Sequence, residues 1–331
     1  MTDRDDGPCV EVLLSTFQGE AYLREQVDSV LGQSYANFRV LARDDGSTDG
    51  TPRILERYAA ENPGVFKLLR DARGNLGAAG SFAALLEQCR APYVMLCDQD
   101  DVWQPDKVAV ALETMRELEQ RKPPRTPALV FTDLCVTDEG LNTLHASFWE
   151  WRGIRPEQAT LNRLLAENIA PGCTMMLNAA LRERALPVYE GAVMHDYWLI
   201  LVAALTGAVG AVERPTVLYR QHGANALGVH GKWTGGRVRE RRRTRRDVLT
   251  AARGIARAAR KPRAVQYGRH FAQAEELLRR FEKEMNEDTA RTIAAFVSLR
   301  DAAVVQRIGT TLRHGFLRPT LMESLAFVFR P

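Results

Sequence analysis

Residues 93–103, YVMLCDQDDVW, decide the fold. Tyr93 to Asp98 reads as a buried strand: an aromatic, Val, Met, Leu and Cys in a row, with no charged atom before the last residue. Three carboxylates then follow within four residues, Asp98, Asp100 and Asp101. Carboxylates so close repel one another unless something cationic sits among them. In an open α/β sheet the carboxyl end of a strand is also where ligands bind. A divalent cation with oxygen ligands, carrying a phosphate-bearing substrate, completes such a cluster. So does a solvated acidic turn before the helix whose start Pro105 marks. This stretch alone leaves both open.

Outward from it, Val10–Ser15 reads as a first strand. Leu23, Val27, Val30 and Leu31 then recur at helical spacing and give Glu20–Leu31 one apolar face. Phe38–Arg43 is a second strand, closed by DDGSTDGT. Thr51 and Pro52 supply a cap and a first-turn proline for a helix that turns Ile54, Leu55 and Tyr58 inward. Val65–Arg70 is a third strand. Gly74, Gly77 and Gly80 punctuate the loop after it, before a helix with Phe82, Leu85 and Leu86. Strands alternating with helices over about 100 residues predict an α/β fold with a parallel, doubly wound sheet. Each strand ends in polar residues: Ser15-Thr16, Asp44-Asp45, the Asn75 loop and Asp98–Asp100. Such ends share one edge of the sheet, so these turns converge on a single crevice suited to a nucleotide.

The chain has 331 residues, enough for one large domain and an extension. Hydrophobic content of 45% and charged content of 26% are ordinary for a globular protein, and the net charge is only +4. Cys9, Cys89, Cys97, Cys135 and Cys173 form no CxxC and read as buried thiols, not as a disulfide frame or zinc site. The acidic, polar start predicts no signal peptide. Tyr197–Val212, the longest uncharged run, is sixteen residues, against the roughly 20 of a spanning helix; it reads as a buried helix followed by a strand.

A dinucleotide site wants G-x-G-x-x-G after the first strand, and a P-loop wants G-x-x-x-x-G-K-[ST]. The turn here is STFQGE, and neither pattern occurs. The chain offers carboxylates instead, which reach a diphosphate only through a bridging divalent metal.

STFQGEAYLREQVDSVLGQS (15–34), DDGSTDGT (44–51) and CDQDDVWQPDK (97–107), in that order and spacing, resemble family 2 glycosyltransferases of the GT-A fold. The likeness runs from about Val10 to about Asn225. CDQDDVW, GCTMM and YRQH are similar to the branch that builds bacterial surface polysaccharides, including rhamnosyl- and glucosyltransferases. The resemblance implies a mostly parallel nucleotide-binding sheet flanked by helices. Residues 1–228 would form the catalytic domain, with a donor half at about 10–125 and an acceptor half at 126–228. Residues 229–331 would be a basic, mostly helical extension. Thr16 and Phe17 would line the base and ribose, Phe17 standing where the family often has Tyr. Asp44 would accept from the pyrimidine imide, and Asn75 would contact the nucleotide side. Asp98 and Asp100 match the family's D-x-D, holding ribose or metal-bound water and the Mg²⁺ or Mn²⁺ ion. Asp45 and Asp101 would order their turns, Asp101 against a nearby backbone or the Lys107 region.

Ala128–Asp133 and Gly172–Asn178 read as further strands, with Cys173 and Thr174 as core packing. His195-Asp196 precedes an apolar helix, where an Asp can simply be an N-cap. Inverting sugar transfer also needs a base opposite the leaving diphosphate, and a carboxylate is the usual choice. The family places an acidic pair here, so Asp196 inherits the base role while His195 departs from the pattern. Val217–Arg220 reads as a last short strand. The resemblance gives the following His222 a place in the metal shell or on the diphosphate, and Arg220 a place on the donor. Trp103 and Tyr219 read as packing.

From Lys232 to Arg246 there are eight Lys/Arg against one Glu, with Trp233 the only aromatic, so nucleic acid is not an expected partner. Phe271, Ala274, Leu278 and Phe281 continue a helical stripe, and Leu321, Met322, Leu325 and Phe329 make the end apolar. That combination suits an anionic membrane face, a bundle packed on the catalytic domain, or a second subunit forming a homodimer. The expected function is inverting, metal-dependent transfer of a hexose or rhamnose from a UDP- or dTDP-linked donor. The acceptor would be a hydroxyl of a glycan or lipid-linked glycan, and the place the cytoplasm or the inner membrane face. A sugar nucleotidyltransferase and a non-transferring donor-binding scaffold are the alternatives.

Overall fold

The structure, a computed structural model, describes residues 7–223 and 263–329. Its centre is a nine-stranded sheet. β1 (Val10–Thr16), β2 (Phe38–Asp44), β3 (Phe66–Leu68) and β4 (Tyr93–Cys97) lie in the order β3-β2-β1-β4, all parallel. Val12, Leu13, Leu14, Val94, Met95 and Leu96 are at most 1% exposed, so both faces of the two central strands are covered. Helices α1 (Leu23–Leu31), α2 (Thr51–Glu61) and α3 (Gly77–Gln88) make the crossovers. The α2 start differs from expectation. Gly50 is its N-cap, and the Thr51 hydroxyl accepts from the Gly19 amide at 2.8 Å, fastening α2 to the turn after β1.

Beyond β4 the sheet becomes mixed. After the two-residue β5 (Val102–Trp103) and α4 (Lys107–Gln120) comes β6 (Ala128–Thr137), followed by β7 (Thr143–His145), α5 (Phe148–Arg152) and α6 (Leu161–Ala166). Gly172–Thr174 is a 3-10 turn, so the strand expected at 172–178 starts three residues later as β8 (Met175–Asn178). β8 sits antiparallel between β4 and β6. The apolar run forms α8 (His195–Thr206), reached through α7 (Ala179–Ala185), and β9 (Ala208–Arg220). The strand expected at 217–220 is thus the end of a longer one. β9 runs parallel to β6, with register shifts opposite Thr132–Cys135, where its Pro215 cannot donate to the ladder. Its end pairs with β5, Val102 opposite Leu218, which carries residues 220–222 to the acidic turn.

Four further helices follow: α9 (Arg263–Phe281), α10 (Glu287–Ser298), α11 (Val304–His314) and α12 (Leu321–Phe329). Phe271, Phe296, Phe316 and Phe327 are fully buried among them. The bundle packs on the part of the chain that holds the sheet. The Arg280 guanidinium lies 4.8 Å over the Trp198 ring, Arg152 bridges Glu167 (3.1 Å) and Glu323 (2.7 Å), and Arg318 meets Glu167 at 2.7 Å. The expected domain boundary at 229 and the basic run at 232–246 lie outside the described residues. No helix among those described is long and apolar enough to cross a membrane.

Candidate active site

The parallel register of β1 and β2 places Thr16 opposite Asp44. The Thr16 hydroxyl donates to Asp44 Oδ1 at 3.1 Å, and the Ser47 amide and hydroxyl donate to the same carboxylate at 2.9 and 2.6 Å. Phe17, next along the chain from Thr16, is 47% exposed. Its backbone is held from both sides by one side chain: the Phe17 amide donates to Gln99 Oε1 and Gln99 Nε2 donates to the Phe17 carbonyl, each at 2.8 Å. Asp45 is buried and orders the turn, accepting from the Leu76 amide at 2.8 Å and from buried Arg43. Asn75 Nδ2 donates to the Asp45 carbonyl at 2.8 Å, so the Asn75 loop is tied to the same edge.

The acidic turn lies next to this, at the end of β4. Asp98 is pushed up to about 7, first by removal from water and then by the charges of Asp100 and Asp196. Those three carboxylates therefore share one field, although Asp196 is distant in sequence. Asp101 is fully buried and held well above the carboxylate range by burial and by Asp100 and Asp98. Its Oδ1 accepts from the Arg220 amide at 3.2 Å; its Oδ2 has no hydrogen-bond partner among the described residues. Asp100 Oδ2 lies 2.8 Å from His222 Nε2. Arg220, only 3% exposed, donates from Nε to the Asp100 carbonyl at 2.9 Å and also reaches the Glu139 carbonyl and Glu25. Its guanidinium stands 4.6 Å over the Tyr22 ring, which also lies 4.6 Å from the His222 ring.

The donor set suits a hard divalent ion. Buried carboxylates in excess of local cations, one with an orphaned oxygen, beside an imidazole, match the ligands of Mg²⁺ or Mn²⁺. A carboxylate oxygen each of Asp98 and Asp101 and the Cys173 sulfur lie within 4.8 Å of one another. Burial and the two aspartates push the Cys173 thiol well up, which keeps it protonated and a poor ligand for such an ion.

Asp196 occupies the first turn of α8, behind its N-cap Met194, where the helix dipole favours an anion. Its carboxylate is not confined to its own helix: Oδ2 accepts from the Gly172 amide at 2.9 Å and Oδ1 from the Tyr197 amide at 2.6 Å. Burial still pushes it up to about 6. A Cβ on Gly172 would stand 3.3 Å from Asp196 Cβ and 3.2 Å from His195 Nε2, so the 3-10 turn packs directly on the carboxylate's support. His195 is buried and stacked on Phe82 at 4.1 Å; burial lowers it to about 3, leaving it neutral.

Hydrogen bonds thus gather Thr16, Asp44 and the Asn75 loop at the ends of β1 and β2. Electrostatic and hydrogen-bond links gather Asp98, Asp100, Asp196, Arg220 and His222 at the end of β4, and Gln99 joins Phe17 to the latter. Gln99, Gly172, Tyr22 and Glu25 were missed. Only Gln99 carried a signal: alternation along CDQDD turns it away from Asp98 and Asp100.

A sequence profile described as "Glycosyl transferase family 2" matches residues 11–184. The dTDP-rhamnosyl transferase RfbG of Shigella flexneri is 24% identical over 231 residues, covering 66% of this chain and 74% of that protein. The putative teichuronic acid biosynthesis glycosyltransferase TuaG of Bacillus subtilis is 34% identical over 110 residues, 33% of this chain and 43% of TuaG. Residues 1–349 of S. aureus TarS, crystallised with UDP-GlcNAc, superpose with a TM-score of 0.53 at 15% identity, covering 97% of this chain and 90% of that one. The chain spans 43% of a longer TarS structure. With the profile spanning more than half of its length, and a GT-A sheet beneath it, the chain belongs to glycosyl transferase family 2.

Proposed function

We propose that this chain transfers a hexose or rhamnose from a UDP- or dTDP-linked donor to a hydroxyl of a glycan or lipid-linked glycan, inverting the anomeric centre. The observation that supports the proposal is that the charges of Asp100 and Asp196, distant in sequence, both act on the buried Asp98 carboxylate. Asp98 and Asp100, with His222, would hold a divalent ion. Such an ion neutralises charge growing on the departing diphosphate. Phe17 would stack on the base, and Asp44 would accept from its imide. Arg220, with its guanidinium engaged by Asp100, Glu139 and Glu25, supports the donor site by fixing the Asp100 backbone. Asp196 takes the proton from the acceptor hydroxyl as its oxygen attacks the anomeric carbon and the donor's C–O bond to diphosphate breaks. A group held near 6 is mostly ionised at neutral pH and still basic enough to accept a proton in the transition state. Asp196 is the one carboxylate proposed as base among the described residues, which favours direct displacement. The dTDP-rhamnosyl transferase RfbG supports a dTDP-linked rhamnose donor, and TuaG, of teichuronic acid biosynthesis, supports a glycan acceptor. The test is release of nucleoside diphosphate from a panel of donors, with and without acceptor, by the wild type and by Asp196→Asn. Equal acceptor-dependent release by the two would remove Asp196 as base.

A further inference from the structure

Away from that site, a groove of about 540 Å³ separates the α5–α6 segment from the turn into α12. Arg155, Arg163, Ile154, Leu317 and Leu321 are among its walls. Arg318, also on the wall, is held by Glu167, but Arg155 and half-buried Arg163 have no side-chain partner among the described residues. Glu150 is the one other charged side chain lining it. The groove is thus lined by three guanidinium groups against the one carboxylate of Glu150, and guanidinium forks match phosphate oxygens.

Leu321 on its wall begins an apolar stretch. Of the eleven large apolar side chains left exposed among the described residues, four lie on α12, Leu321, Met322, Leu325 and Phe329, and three more on α11. On α12, Leu321 is 74% exposed while Phe327 and Val328 are buried beneath. The helix is well started: Thr320 and Glu323 exchange hydrogen bonds, the Glu323 amide donating to the Thr320 hydroxyl at 3.2 Å and the Thr320 amide to Glu323 at 3.3 Å. An ordered nine-residue helix with its apolar stripe outward is too short to cross a bilayer and suited to lying on one.

We infer that this face docks on an anionic membrane, with lipid phosphate seated in the groove on Arg155 and Arg163 and the α12 stripe in the headgroup region. The inference deepens the reading of a lipid-linked acceptor by fixing where the surface carrying it meets the chain. A membrane is favoured over a second copy of the chain because free guanidinium groups beside apolar side chains complement anionic lipid.

The test is flotation of the full chain with vesicles of phosphatidylglycerol and phosphatidylcholine, against phosphatidylcholine alone. The wild type should float with the first and stay behind with the second. Arg155→Gln with Arg163→Gln should lower partitioning roughly 20–30-fold, at about fivefold per basic side chain. Leu321→Glu with Met322→Glu should lower it comparably; acidic residues in a first helical turn keep α12 formed, which circular dichroism checks. Binding that survives both double variants overturns the inference and assigns attachment to another segment, such as the basic run at 232–246. Absence of vesicle binding, or a dimer that Leu321→Glu with Met322→Glu dissociates in place of it, overturns it too. Diphosphate release with a soluble acceptor should be unchanged in both variants. Its absence in every form, with flotation intact, would defeat the transfer reading and not this one.

Discussion

Asp196 is the residue on which chemistry and stability pull in opposite directions. Asp196→Asn should fold and bind donor, yet lower turnover by roughly 10²–10⁴, the usual worth of a general base. In the wild type, kcat/KM should fall as pH drops through about 6, where burial places this carboxylate. The stability sign is the reverse. A folded-state value above the unfolded 3.8 means that the native chain binds the proton more tightly. Its stabilising share is therefore complete below about 4 and lost as pH rises toward 6. Melting temperature should then rise less between pH 7 and pH 5 in Asp196→Asn than in the wild type; parallel curves would show that the carboxylate is not buried as described. What the chain disclosed at this scale was charge crowding. Asp98, Asp100 and Asp101 betray themselves because like charges stand within four residues. Gly172 did not, because its partner Asp196 lies 24 residues away and glycine does not advertise such a role. For Gln99 the alternation showed which way it turns but not its partner Phe17, 82 residues away. Gly172 can be tried directly. Alanine there presses on Asp196 and His195 by a few tenths of an ångström, and should cut kcat about tenfold with little change in donor KM, since small misplacements of a reacting group are costly.

Among the elements, β4 and β1 were legible because a strand buried on both faces reads as an unbroken apolar run. β9 was only half legible. Glu213, Arg214 and Pro215 break its pattern, and the ladder absorbs them through register shifts that no local period announces. That strand matters because its end straps the acidic turn. Arg220 joins it to the Asp100 carbonyl, to the loop at Glu139 and to α1 through Glu25. A lysine keeps the charge but cannot fork to three partners. Arg220→Lys should therefore cost about 2 kcal/mol of stability through the lost charged hydrogen bonds. It should also raise the Mn²⁺ concentration needed for half-maximal activity, because Asp100 loses its anchor. Loss of stability with an unchanged metal requirement would leave Arg220 a purely structural strap.

Across the whole molecule, periodicity announced helices at the C-terminal end but could not say which side they turn outward. Phe271 and Phe281 faced inward as their stripe suggests, whereas Leu321, Met322, Leu325 and Phe329 are exposed, a choice set by neighbours distant in sequence. Segments distant in sequence meet at the acidic turn: β4 leads into Asp98 and Asp100, α8 carries Asp196, and the end of β9 brings His222 against Asp100. Their assembly carries a surplus of negative charge, and folding should therefore be coupled to a cation. With no metal bound, Asp98 holds its proton to about pH 7, first because it is removed from water and then because of the charges of Asp100 and Asp196. A divalent ion must expel that proton, so protons and metal compete. Between pH 8 and pH 5.5 the apparent affinity for Mn²⁺ should weaken, approaching about tenfold per pH unit below 7 for one displaced proton. The rise in melting temperature on adding Mn²⁺ to chelator-treated protein should shrink with it, from about 2.7 kcal/mol of stabilisation at a hundredfold excess over Kd toward nothing. Asp98→Asn should bind the ion more weakly and flatten that pH dependence. A metal-induced shift of equal size at both pH values in the wild type would separate Asp98 from the ion, and with it the link between charge crowding along the chain and the binding of a diphosphate.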